Sequence, residues 1–150
     1  MSHDATLIDA IRQRLTQQLE YYRLVAELSS EERAAIAASD EMALLNVLNR
    51  KQKYLDKLEA LRKDLNPLRL QWETVRDRMD ASVKAEFKRL TDETESLLKS
   101  IIETEQKNMV DARVKKDDAS KKVTELKYTA NAARSYMGAQ PKRAVFDTTT

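Results

Sequence analysis

The 150 residues include no cysteine, one histidine, one glycine and two prolines. Without cysteine there is neither a disulfide framework nor a thiolate metal site. With His3 as the sole imidazole, no catalytic triad, zinc site or Cys–His pair can be assembled. A single glycine excludes a P-loop and a dinucleotide fingerprint. No apolar run approaches the roughly 20 residues a membrane-spanning helix needs. The start, Met1-Ser2-His3-Asp4, lacks the basic region and apolar core of a signal peptide. The missing cysteine also favours a reducing compartment. A cytoplasmic protein without direct membrane insertion is expected.

The scarce backbone punctuation is placed informatively. Pro67 falls near the middle, and Gly138 and Pro141 fall together near the C-terminus. Charged residues make up 35% and aromatics 5%, and Ala, Leu, Glu, Lys, Arg and Gln dominate. That is the composition of long helices and coiled coils. The expected fold is all-α: an elongated antiparallel helical hairpin or bundle of about three main helices, with a weakly packed C-terminal helix and a flexible tail. Residues 1–137 form the helical domain, with a reversal around 66–80, and 138–150 form the tail. A helix of about 50 residues would extend about 75 Å at 1.5 Å per residue.

Spacings of three and four locate the helices. The first begins near Asp4 or Thr6 and carries Leu7, Ile8, Ile11, Leu15, Leu19, Tyr22, Val25 and Ala26 on one face. Ser29 with Glu32 resembles a capping box, but the alanines at 34, 35 and 37 favour continuation. Asp40 can cap a second helix, striped by Leu44, Leu45, Leu48, Gln52, Leu55, Leu58, Leu61 and Leu65. With no glycine near Ala38–Asp40, a kink or short irregular link is favoured there over a tight hairpin. Asn66-Pro67 is the strongest boundary, because proline suits a first helical turn and disfavours helix just before it. Trp72 is expected to pack where the reversal meets the rods. Asp80 or Ser82 opens the longest helix, striped by Val83, Phe87, Leu90, Leu97, Leu98, Ile101, Ile102, Met109 and Ala112, with Thr94 and Glu105 diluting the stripe. Tyr21, Tyr22 and Tyr54 lie in strong stripes and read as packing residues.

Charge is unevenly spread. Residues 1–106 hold 17 Lys/Arg and 20 Asp/Glu, a net of −3, whereas residues 107–143 hold 10 and 4, a net of +6. Beyond Ala112 the apolar stripe thins to Val114, Ala119, Val123 and Leu126. A helix that is polar nearly all round is poorly held by packing, so this stretch should fray or wait for a partner. Its interspersed acids argue against phosphate binding, and nucleic acid is not an expected partner. Carboxylates elsewhere have basic neighbours at helical spacing. No reactive group sits in a supporting constellation, so neither catalysis nor a metal or cofactor is expected.

Several segments together resemble the flagellar type III export chaperones of the FlgN-like family. Leu7-Ile8-Asp9-Ala10-Ile11 through Gln17-Gln18-Leu19 resembles the family's opening helix. Glu31-Glu32-Arg33-Ala34-Ala35-Ile36, then Asp40 and Leu44-Leu45, resembles its alanine-rich link. Arg50-Lys51-Gln52 with Leu55 and Leu58 is similar to a basic-Lys-Gln signature, and Pro67 with Trp72 to the crossover. Ala132-Ala133-Arg134-Ser135-Tyr136-Met137-Gly138, then Phe146-Asp147, is similar to the family's ending. The resemblance implies a cytoplasmic chaperone for bacterial flagellum biogenesis and protein export. It would bind the C-terminal helices of hook-associated (hook–filament junction) proteins, prevent their premature polymerisation and deliver them to the export-gate membrane protein. The client would be held by the C-terminal part of the chain. Candidate contacts there are Val114, Val123, Leu126, Ala130 and Met137, with Lys115, Lys122 and Lys127 as rim charges. Tyr136 is the candidate for docking to the export gate. The alternative is a self-associating coiled-coil scaffold. An underfilled seam can also pair with itself as a homodimer when no client is bound.

Overall fold

The computed structural model describes residues 2–136, and in them the chain is all-α. Helix α1 spans Ser2–Ala37, α2 Glu41–Val75 and α3 Ala81–Tyr136, with a single 3-10 turn, Arg76–Arg78, before α3. Residues 1–111 form one compact unit and residues 112–150 a second.

Within the first unit the three helices run up, down and up. Leu7 and Ile11 of α1 pack with Val75 at the end of α2, whereas Glu32 of α1 bonds Lys51 near the start of α2, so α1 and α2 are antiparallel. Arg12 donates to Glu86, Arg23 to Glu93 and Ser29 to Glu105, so α3 runs parallel to α1. The core is a narrow seam. At one end Leu7, Ile11, Val75 and Phe87 are buried, with Trp72 against Phe87 at a ring separation of 4.9 Å. Farther along, Val25, Leu58 and Ile101 are buried, flanked by Tyr21, Tyr22 and Tyr54. Tyr21 and Tyr54 stand 5.9 Å apart, and Lys57 covers both rings. The packing expected of Trp72 and of these tyrosines is what is found.

The link at 38–40 is a tight hairpin, not the kink that the absence of glycine favours. Ser39 adopts a left-handed φ of 54°. The Ser39 amide donates to the Ile36 carbonyl and the Asp40 amide to the Ala35 carbonyl, each at 3.0 Å. This is the paired closure that satisfies the last carbonyls of a helix, usually built on glycine. Asp40 then caps α2, its carboxylate accepting from the Ala43 amide at 3.0 Å. One residue thus closes α1 and opens α2.

Pro67 does not break the chain. Helix α2 continues through it to Val75, and the reversal lies at residues 76–80. Proline removes one helical donor and crowds the carbonyl four residues back. Here Pro67 is exposed, while Leu61 and Leu65 before it and Val75 after it are buried. Packing on both sides holds the helix through a locally unfavourable residue. At the same end of the unit as the reversal, α1 starts at Ser2, ahead of both residues expected to cap it. Asp4 instead accepts from Arg78 at 2.9 and 3.1 Å, tying the first turn of α1 to the reversal.

Two apolar stripes also divide more finely than their spacing suggests. On α2, Leu58, Leu61 and Leu65 are buried, but Leu45, Leu48 and Leu55 are exposed. On α3, Phe87, Leu90 and Ile101 are buried, but Ile102 and Met109 are exposed. A leucine one residue out of register lies about 100° round the helix.

Candidate functional site

Inward positions that an apolar stripe would fill are taken near the hairpin end of the bundle by Ser29 and Glu32 of α1, Lys51 of α2, and Glu105 and Asn108 of α3. Ser29, Glu32, Lys51 and Asn108 are buried. The Lys51 ammonium donates to Glu32 Oε1 at 2.5 Å and to Glu105 Oε1 at 2.8 Å. The Ser29 hydroxyl donates to the same Glu105 oxygen at 2.5 Å, and Asn108 Nδ2 donates to the Ser29 carbonyl at 3.0 Å. One lysine on the middle helix therefore holds a carboxylate from each of the other two.

The balance of burial and pairing differs at each member. At Glu32, burial outweighs the hydrogen bond from Lys51 and pushes the carboxyl above the ordinary value. At Glu105, burial is again the largest influence, but bonds from Lys51 and Ser29 together outweigh it and hold the carboxyl below the ordinary value. At Lys51, burial opposes the charge, and the bonds to Glu105 and Glu32 more than offset it, so its pKa is raised. Breaking such a pair from one side leaves an uncompensated buried charge. Asn108 Oδ1 is buried without a hydrogen-bond partner among the described residues. The cluster can fix the register of three helices. Among the described residues, no group of three His, Cys, Asp or Glu side chains could hold a metal ion.

Four of these five residues drew notice in the sequence without being joined, and Asn108 drew none. Ser29 and Glu32 read as a capping box, Lys51 as part of a basic signature, and Glu105 as a flaw in a stripe. The signal that could have found the cluster was the coincidence of five polar residues at seam positions on three helices.

The residues expected to bind a client lie in the second unit. Every described side chain from Arg113 to Ala132 is exposed, including Val114, Lys115, Lys122, Val123, Leu126, Lys127 and Ala130. At about 100° per residue, Ala112, Ala119, Val123, Leu126 and Ala130 fall within a strip about 60° wide. Lys122 borders it on one side, with Lys115 at the same edge, and Lys127 borders the other. Val114 lies nine residues before Val123, about half a turn around the helix, so it is not on that strip. Tyr136 is the last residue of α3; its side chain and Met137 lie outside what the structure describes. Among the described residues, no helix is long and apolar enough to cross a membrane.

No family model, curated protein or solved structure matches the chain.

Proposed function

We propose that this chain is a binding protein rather than a catalyst. In this reading it is a cytoplasmic export chaperone of the FlgN-like kind, which holds the C-terminal helix of a hook-associated client. The observation that carries the reading is the apolar strip of half-buried Ala112 and exposed Ala119, Val123, Leu126 and Ala130 on a helix otherwise rich in charge. Leu126 is 69% exposed and Val123 52%. An amphipathic client helix would lay its aliphatic anchors, three and four residues apart, along this strip. Lys122 and Lys127 would border it, favouring a client whose flanks are acidic. Tyr136, following the strip, would then be offered to the export gate.

The ion cluster supports the reading indirectly. It fixes the three-helix unit without using any residue of 112–136, so that segment is not needed to complete the core. The test is hydrogen exchange on the full chain, with and without the C-terminal helical peptide of a hook–filament junction protein. Slowed exchange confined mainly to residues 112–136 is expected. Unchanged exchange there, with the peptide in excess, would overturn the assignment.

A further inference from the structure

The first unit leaves four large apolar side chains exposed on one side of the α2–α3 pair. On α2, the bond from Lys51 to Glu105 marks the direction of α3. Leu48 and Leu55, a turn before and after Lys51, lie about 40–60° farther round, away from α1. On α3, Ile102 and Met109 stand in the same relation to Glu105. Leu48 and Leu55 are each 39% exposed, Ile102 50% and Met109 57%. The Lys51–Glu105 bond and the Trp72–Phe87 stack set the register, placing Leu48 level with Met109 and Leu55 level with Ile102. Among the described residues, nothing covers this groove.

We propose that a second copy of the chain fills it, with the two-fold axis along the helices, so that each α2 lies against the partner's α3. An axis in that direction keeps every residue at its own level. Residues that meet across the interface are then those already level with one another within the chain. Leu48 would meet the partner's Met109, Leu55 the partner's Ile102, and Gln52 the partner's Gln106. The next levels match in charge: Glu59 would meet the partner's Lys99, and Lys63 the partner's Glu95. Lys63, Glu95 and Lys99 are exposed and form no salt bridge among the described residues. Closed two-fold pairing through one self-complementary face is the commonest form of oligomer. Here apolar meets apolar, amide meets amide and acid meets base at five successive levels. This assignment is independent of the export role.

Light scattering on the full chain is expected to give twice the 17.3 kDa chain mass. The double variant Leu48→Glu/Met109→Glu, altered only at exposed positions, should be monomeric with unchanged helix content by circular dichroism, and its melt should lose the concentration dependence that the dimer confers. Lys63→Glu should weaken the dimer at least tenfold, and adding Glu95→Lys in the same chain should restore it. Because the chain has no cysteine, single thiols report on geometry. A mixture of Leu55→Cys and Ile102→Cys proteins should give a covalent heterodimer under oxidation. A chain that stays monomeric at every concentration overturns the proposal, even if a foreign helical peptide binds the groove. So does a dimer that persists in the double variant, or cross-linking of each cysteine protein only to itself.

Discussion

Lys51 on α2 donates to Glu32 on α1 from 2.5 Å inside the bundle, and the same ammonium reaches Glu105 on α3. Replacing the lysine alone leaves Glu32 buried and both carboxylates without their cation, with only the Ser29 hydroxyl still donating to Glu105. Lys51→Met should therefore cost about 3–5 kcal/mol in urea unfolding, the range for breaking one side of a buried pair. The partial exposure of Glu105 places the expected loss toward the lower end. Replacing Glu32, Lys51 and Glu105 together by apolar residues of matching volume should recover most of that loss. A loss in the triple variant as large as in Lys51→Met would contradict this account.

The same cluster sets a pH dependence. The Lys51 pKa is raised from its ordinary value of 10.5, so its contribution is fully present below that pH and is lost as pH rises through the folded value. Glu105 is lowered from 4.5, so its contribution is present above that pH and fades as pH falls through its folded value. Glu32 is raised from 4.5 and acts in the opposite sense, since its protonation favours the folded chain. Melting temperature should fall above pH 10.5 in the wild type, with a smaller fall in Lys51→Met. Identical alkaline slopes would rule Lys51 out as the source.

Ser39 occupies a left-handed conformation that serine adopts reluctantly and glycine freely. Ser39→Gly should stabilise the chain by about 1 kcal/mol, and Ser39→Val should destabilise it. Thermal melts of the two variants should move in opposite directions. A fall in both would mean the turn depends on the serine hydroxyl.

Pro67 is exposed within a continuous helix. Pro67→Ala restores a backbone donor to the Lys63 carbonyl and relieves crowding, so a gain of about 1–3 kcal/mol is expected in denaturant unfolding. Destabilisation would show that the proline sets a bend the packing requires.

Asn108 buries an amide oxygen with no hydrogen-bond partner among the described residues. Asn108→Leu removes that orphan and should be neutral or stabilising. Asn108→Asp places a second negative charge close to Glu105 and should cost about 1–3 kcal/mol. Both values follow from urea titration at neutral pH.

Helix content and order were legible because spacings of three and four persist over long stretches and breaking residues are rare. Asp40 was found as a cap because its residue type serves that position. The hairpin before it was not, because it rests on a serine doing what glycine usually does. The helix through Pro67 was hidden because burial of Leu61, Leu65 and Val75 overrides a local preference. The division of the leucines on α2 was hidden because Leu44, Leu45 and Leu48 fit two neighbouring faces equally well, and only the position of α3 separates them. The ion cluster joins residues 29, 32, 51, 105 and 108, and a contact between three helices leaves no mark on the periodicity of any one. The exposed strip after Ala112 was readable because a thinning apolar row among lysines is a local pattern.

The strip on residues 112–132 is the proposed binding site for a client helix. Calorimetric titration of the full chain with the C-terminal helical peptide of a hook–filament junction protein, beside the double variant Val123→Asp/Leu126→Asp, tests it most directly. Both substituted side chains are exposed, so the variant should keep its helix content. The account predicts a micromolar or tighter dissociation constant for the wild type, on the order of −8 kcal/mol, and at least a tenfold loss in the variant. No measurable binding by the wild type, or equal binding by the two, would contradict it.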